Sequence, residues 1–307
     1  MLDARGGPDP AGRAAAHRGA ARAALAESGA VMLRGLGVRT PGDVADVAAA
    51  LGIAAMTERE GFAPRTAHAP GVYSGSHWPA DEPMCMHHEL SYAATVPGTL
   101  IFGCLTAPGS GGRTTVADSQ RVLAALPPGL VAPFERHGWL LRRMYHDVGV
   151  AWADAFGTTD RSAVDAYCAA AGIEHAWLSD DRLATRQRRT AVVRHPRTGA
   201  PGWFNQVAFL NGLTMDPAVR DYLTDVYGPD GLPFDTSAGD GTPSPPPRWT
   251  ASTPSTTGSP SASRGRRATS SSWTTSAPPT PANRTKGGAT SPSSWATPPN
   301  CPAMCCR

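Results

Sequence analysis

The feature that most limits what this chain can fold into is a break in composition after Asp240-Gly241-Thr242-Pro243. Residues 244–307 are mainly Ser, Thr, Pro and Ala, with six Arg, Lys286 and no Asp or Glu. Hydrophobic periodicity ends at the same point. Such a stretch reads as a low-complexity, disordered tail, because it buries too little apolar surface to offset the entropy of ordering it. Trp249, Trp273 and Trp295, with the crowded Cys301, Cys305 and Cys306, fit that reading poorly, since disordered tails are usually poor in aromatics. The 307 residues allow one large domain or two small ones, and the core must come from what precedes the break.

Charge divides at the same place. The net charge of +3 hides a body of 21 Arg against 25 acidic residues, a net of −4, followed by a tail holding all 7 remaining basic residues. The body therefore carries no nucleic-acid footprint, and the sparse positive charges of the tail make a poor nucleic-acid or membrane binder. Residues 1–18 lack an apolar core of signal-peptide length, and no later run is long enough to span a bilayer. A soluble, cytoplasmic protein is expected, with neither nucleic acid nor membrane as partner. Cys85, Cys104 and Cys168 are spaced like neither a metal site nor a disulfide framework.

Within the body, 12–28 is rich in Ala and Arg and predicts a helix ending near Gly29. A strand is expected at 30–35, and a second helix at 41–51 with Thr40 as N-cap and Pro41 in its first turn. Residues 71–75 read as a strand or turn, and 99–105 (Thr-Leu-Ile-Phe-Gly-Cys-Leu) as a compact apolar strand. A glycine-rich turn at 108–112 leads to strand character at 114–118. Helices are expected at 119–126, capped by Ser119, and at 161–172. Strands at 190–194 and 202–204 flank a turn at 195–199. Short strands with inserted helices fit an antiparallel jelly roll (a double-stranded β-helix) carrying helical decoration, mainly β overall.

The chemistry-bearing stretch is Met86-His87-His88-Glu89-Leu90-Ser91-Tyr92. In a strand, alternation puts His87 and Glu89 on one face and His88 on the other. Such a pair supplies two corners of the two-His, one-carboxylate triad that holds non-haem Fe(II) with positions left open. The plainer reading is an ordinary surface pair, with His88 structural. The third ligand should be a distant His, but no His follows His195, which stands before Pro196 as a turn residue.

Taken together with Gly111-Gly112-Arg113-Thr114, His195-Pro196-Arg197-Thr198-Gly199 and Trp203-Phe204-Asn205-Gln206, the His87 stretch resembles the taurine dioxygenase-like (TauD/TfdA) family. These are Fe(II)/2-oxoglutarate oxygenases, and the likeness is greatest to amino-acid β-hydroxylases of nonribosomal peptide pathways. The resemblance spans roughly 30–243 and implies iron ligands His87 and Glu89 and a 2-oxoglutarate contact at Thr114. Asn205 would face the substrate pocket, or else be a buried amide with its bonds satisfied. The implied reaction consumes O₂ and 2-oxoglutarate and hydroxylates an amino acid, free or tethered to a carrier protein, in antibiotic biosynthesis. Retention of the carboxylate implies hydroxylation, since halogenating relatives lack it. The resemblance divides the chain into a helical lead-in (1–29), an oxygenase domain (30–243) and the tail (244–307).

The family ends with Gly-Asp, hydrophobics, Asp-Asn, a distal iron-binding His and an Arg that pairs the far carboxylate of 2-oxoglutarate. The tail as written contains no such segment. Codon arithmetic supplies it if one base is missing near Pro243, so that each true codon joins the last base of one residue to the first two of the next. Trp273 followed by Thr274 then forces GAC, an Asp, and Trp295 followed by Ala296 forces a Gly. From Arg267 to Ala289 the shifted codons permit Gly-Asp-Val-Leu-Leu-Val-Asp-Asn-Leu-Arg-Thr-Ala-His-Ala-Arg-Glu-Pro-Tyr-Glu-Gly-Arg-Arg without interruption. The tail is thus expected to be a frameshift product. The closing strands, distal His and Arg would be missing from this chain, leaving it inactive. The competing expectation is a non-catalytic jelly-roll binding protein.

Overall fold

The computed structural model describes residues 1–6, 9–63, 65–75, 85–109, 114–179 and 182–243. Gly111, Gly112, Arg113 and the whole of the tail lie outside the described residues. The chain opens with strand β1 (Leu2–Asp3), helix α1 (Pro10–Ser28), strand β2 (Leu33–Arg34) and helix α2 (Pro41–Ala50). Both helices start and stop where local chemistry tells them to. Asp9 caps α1 by accepting from the Gly12 N–H, and Gly29 ends it in the left-handed region at φ 73°. Thr40 and Asp43 form a reciprocal capping box on α2. Ala14 and Ala21 of α1 are buried with Val47 and Leu51 into a small core that also takes up Leu36 and Ile101. The expected strand at 30–35 shrinks to two residues, pairing in parallel with β1.

Next come strands β3 (Ala67–Ala69) and β4 (Val72–Tyr73), an antiparallel pair. No described residue between 85 and 118 is in a strand, so the strands expected at the His87 stretch, at 99–105 and at 114–118 do not form there. Helix α3 (Ser119–Ala125) is capped by Asp118, whose carboxylate accepts from the Gln120 and Arg121 N–H groups, and not by Ser119. The Pro127-Pro128 pair does more than stop it. Pro128 opens helix α4 (Pro128–His137), at a position where a missing N–H costs nothing.

The main sheet is antiparallel and uses β5 (Trp139–Tyr145), β6 (Ile173–Trp177), β7 (Leu183–Arg189) and β10 (Asp235–Ala238) in the order β10-β5-β7-β6. Between them lie α5 (Trp152–Phe156), α6 (Arg161–Ala171), the hairpin of β8 (Val192–Arg194) and β9 (Pro201–Trp203), and α7 (Pro217–Tyr227). The hairpin turn is the expected one: the Gly199 N–H donates to the His195 carbonyl at 2.8 Å. Trp139, Leu141, Phe134, Leu210 and Ala238 fill the core on one side of the sheet, and Tyr145, Phe156, Val164, Cys168 and Leu183 form a second cluster. Helices account for more of the described residues than strands, and no second sheet of four strands occurs among them. No described helix is long and apolar enough to cross a membrane.

One buried polar network fixes the loop that reaches the candidate site. Glu60, 1% exposed and at φ 61°, accepts from Tyr167 Oη at 2.7 Å and from Gln187 Nε2 at 2.8 Å. Arg143 of β5 donates to the Glu60 carbonyl at 2.8 Å and lies over the Phe62 ring, 3.6 Å from its centroid. A buried carboxylate is tolerated only when its oxygens are bonded in this way. The loop is thereby tied to both β5 and β7.

Candidate metal-binding site

His87 and Glu89 meet without a strand. The chain turns sharply after them: the Ser91 N–H donates to the His88 carbonyl, the Ala93 N–H donates to that of Leu90, and Leu90 sits at φ 55°. Non-glycine residues adopt that conformation seldom, and only where surrounding contacts impose it. Those contacts are present. Gln187 and Arg189 of β7 donate to the Tyr92 carbonyl at 2.8 and 2.7 Å, and Gln206 Nε2 donates to the His88 carbonyl at 2.5 Å. Leu90, Ser91, Tyr92 and Ala93 are buried, so the turn is anchored in the core while His87 and Glu89 stay at its rim.

The His87 ring is oriented from two sides. Its Nδ1 lies 2.8 Å from the Cys85 carbonyl, which can only accept, so Nδ1 carries the proton and Nε2 keeps its lone pair. The ring stacks on Phe209 at 4.5 Å with an interplanar angle of 11°. Nε2 then faces Glu89 Oε2 at 3.6 Å. The other carboxylate oxygen, Oε1, accepts from Arg65 Nη2 at 2.8 Å, and Arg65 Nε lies 3.6 Å from Glu58 Oε2. Carbonyl-fixed His tautomers and a hydrogen-bonded carboxylate are what metal ligands ordinarily have around them.

Electrostatics agree with the geometry. Burial pushes the Glu89 carboxyl pKa up, but the adjoining His87 ring and Arg65 outweigh it and hold the value below normal. Burial dominates at Glu58 and raises its pKa, against the pull of Arg65. Burial also lowers the pKa of His88, keeping that ring neutral. His88 tilts against Phe204 at 4.9 Å, the structural place expected for it.

The remaining sequence candidates separate. Thr114 is exposed, and its neighbour Thr115 reaches the Met86 sulfur at 3.3 Å, bringing this segment beside the His87 stretch. Asn205 is buried with both ends of its amide engaged: Nδ2 donates to the Ala191 carbonyl and Oδ1 accepts from the Val207 N–H. It braces the β8–β9 hairpin against the core. Arg65, Glu58 and Phe209 were not legible in advance, because they sit in segments without periodicity or motif and only the fold brings them to His87. A cavity of about 280 Å³ is lined by Met56, Arg59, Leu90, Ala93 and Tyr167, among others, but by neither His87 nor Glu89.

His87 Nε2 and Glu89 Oε2 are two donor atoms of the kinds that a metal takes. Among the described residues no third His, Cys, Asp or Glu joins them in a metal-sized group. The distal His and Arg of the shifted frame are not residues of this chain, in which no His follows His195.

Comparison with known proteins gives the arrangement a context. The family model described as Taurine catabolism dioxygenase TauD, TfdA family matches residues 5–248. Dapdiamide synthesis protein DdaC of Enterobacter agglomerans is 32% identical over 210 residues, 68% of this chain and 64% of that protein. A clavaminate synthase-like protein of Arabidopsis thaliana is 28% identical over 194 residues, 60% of this chain and 59% of its own. The chain thus spans less than two thirds of the length of either relative. The family match covers most of the chain and contains the His87 turn, the Arg65 loop and the main sheet. The chain belongs to the TauD/TfdA family of dioxygenases.

Proposed function

We propose that this protein derives from an Fe(II)/2-oxoglutarate-dependent hydroxylase acting on an amino acid, free or carrier-bound, in secondary metabolism. The observation that carries the reading is the His87–Glu89 pair, with Nε2 and Oε2 facing each other and the opposite edges of both groups engaged by Cys85 and Arg65. Family membership and the two relatives, one named for dapdiamide synthesis and one clavaminate synthase-like, support the same chemistry. The family implies a jelly roll, and the antiparallel β10-β5-β7-β6 sheet is compatible with one of its layers.

His87 and Glu89 would hold Fe(II), which with 2-oxoglutarate and O₂ supplies hydroxylation of an unactivated C–H while releasing succinate and CO₂. The chain's own contribution is orientation. The Cys85 carbonyl keeps the proton on Nδ1 so that Nε2 stays a ligand, and Arg65 holds Oε1 so that Oε2 alone is presented. Thr114 remains the candidate for contact with 2-oxoglutarate, on a segment that Thr115 tethers to Met86.

The tail is read as translated out of frame after about Pro243, leaving this polypeptide without the distal His and Arg and therefore without turnover. The family match ends at residue 248, five residues past the break in composition, which supports that placement. Sequencing the coding DNA across Pro243, then assaying succinate formation by the one-base-restored chain against free and carrier-loaded amino acids, tests both parts. A confirmed frame with no His codon in any register would contradict the frameshift. Succinate formation that no amino acid stimulates would contradict the substrate class. The competing reading, a non-catalytic jelly-roll binding protein, is favoured by the two-ligand site alone and predicts that the restored chain also fails to turn over.

A further inference from the structure

Two non-glycine residues among those described adopt a positive φ, Glu60 at 61° and Leu90 at 55°. Such conformations persist only where the surroundings over-determine them, and they gather at functional sites. These two lie on different segments: the loop that carries Glu58 and precedes Arg65 in sequence, and the turn that carries His87 and Glu89. One side chain of β7 bonds to both. Gln187 Nε2 donates to Glu60 Oε2 and to the Tyr92 carbonyl, each at 2.8 Å. The carbonyl can only accept, so the orientation of the amide is fixed and both its hydrogens are committed. Gln187 is 3% exposed, with Leu141 of β5 and Ile173 of β6 beside it across the ladders, so the bridge stands on the interior of the sheet. Arg189 reaches the same Tyr92 carbonyl, but its other end goes to the Ala171 carbonyl at the end of α6 and not to the loop.

We propose that Gln187 is a positioning residue for the His87–Glu89 pair, a clamp that sets the Arg65 loop and the turn after His87 in register. This rests on the reading of His87 and Glu89 as metal ligands. The contacts at the rim are weak: His87 Nε2 and Glu89 Oε2 stand 3.6 Å apart, and the Arg65 side chain that joins the two segments is 24% exposed. A part-exposed ion pair contributes little alone and does not set the spacing of two segments. The buried bridge does, because breaking it would leave a carboxylate oxygen and a backbone carbonyl unsatisfied away from water. Gln187 touches neither ligand and acts through the backbone. A displacement of Tyr92 or of Glu60 is carried a short way along the chain to the Glu89–Arg65 contact.

The test compares the present chain with Gln187→Met, which keeps the length of the side chain and removes its donors. Amide hydrogen exchange followed by NMR should find the Ser91 and Ala93 N–H groups of the turn and the Gly61 N–H of the loop exchanging at least tenfold faster in the variant. The Leu51 N–H of the α1–α2 core should be unchanged. Val164→Ala, which opens a cavity in the second cluster, should not single out those three amides. Unchanged exchange on either segment, or the same pattern from Val164→Ala, overturns the proposal. Metal is read separately, with Co(II) as the probe, by paramagnetic broadening of the His87 ring signals. Gln187→Met should need at least fivefold more Co(II) than the parent, and Val164→Ala no more than the parent. Equal Co(II) demand in Gln187→Met and the parent also overturns the proposal. Should Co(II) leave His87 of the parent untouched, the metal-ligand reading fails, and exchange alone decides whether Gln187 clamps the two segments. If Gln187→Met does not fold, Gln187→Asn, which withdraws the amide by one methylene, takes its place with the same expected and overturning results.

Discussion

The main sheet and the 85–118 segment make an instructive pair. Strand β7 reads Leu-Ala-Thr-Arg-Gln-Arg-Arg, unpromising as a strand, yet it is paired along its whole length with β5 and along much of it with β6. Residues 99–105 read Thr-Leu-Ile-Phe-Gly-Cys-Leu, a far better strand by composition, yet they are unpaired by any described strand. A ladder needs partners on its edges and a cover on its face, and intrinsic propensity substitutes for neither. β7 has both, and Leu183, Thr185 and Gln187 are buried at alternate positions. The His87–Glu89 pair stands at the boundary between the two regions. Its turn is anchored to β7 through Tyr92, while the segments that follow it are left open.

The sharpest way to break this comparison is to truncate equivalent side chains in the two regions. Leu141, 1% exposed in β5, should cost about 2–5 kcal/mol as Leu141→Ala in denaturant unfolding. Leu100→Ala in the present chain should stay within about 0.5 kcal/mol of the parent, because the residue it shortens is 48% exposed. Comparable losses at the two sites would show that the 99–105 face is already buried.

A smaller effect is expected at the boundary. Arg65→Ala frees Glu89 Oε1 and should weaken Fe(II) binding by the restored chain about 10–100-fold, measured by titration, with the circular dichroism spectrum unchanged. Unaltered affinity would mean that the Arg65 contact does not orient the ligand. The smallest effect of the mutational set beyond Leu100 lies at the start of α2. Thr40→Ala removes one half of the capping box and should lower stability by about 0.5–2 kcal/mol, without touching iron affinity. A change in iron affinity there would join the α1–α2 core to the site, which the separation of that core does not anticipate.

What was legible in the sequence were features set by nearest neighbours. The caps at Gly29 and Thr40 and the 195–199 turn follow from local hydrogen bonds, and they fall where the residues place them. Asp118 displaced Ser119 as a cap because its carboxylate reaches two N–H groups at once. Strands β5, β6, β7 and β10 escaped notice, since the burial of Thr185, Gln187 and Ser237 comes from tertiary partners and not from an apolar pattern. At the site, His87 and Glu89 were visible through their spacing, but the strand invoked to bring them together is a turn. Arg65 and Phe209 were invisible, because Arg65 lies 24 residues from Glu89 and Phe209 is farther still from His87, and such contacts are written in the fold.

The central claim is that this chain holds two thirds of an iron site whose remainder is encoded in another frame. Anaerobic visible absorption with Fe(II) and 2-oxoglutarate tests it most directly, comparing the present chain with the one-base-restored chain. The account predicts a metal-to-ligand charge-transfer band from the restored chain and none from the present one. An equally strong band from the present chain, or none from a folded restored chain, would contradict it.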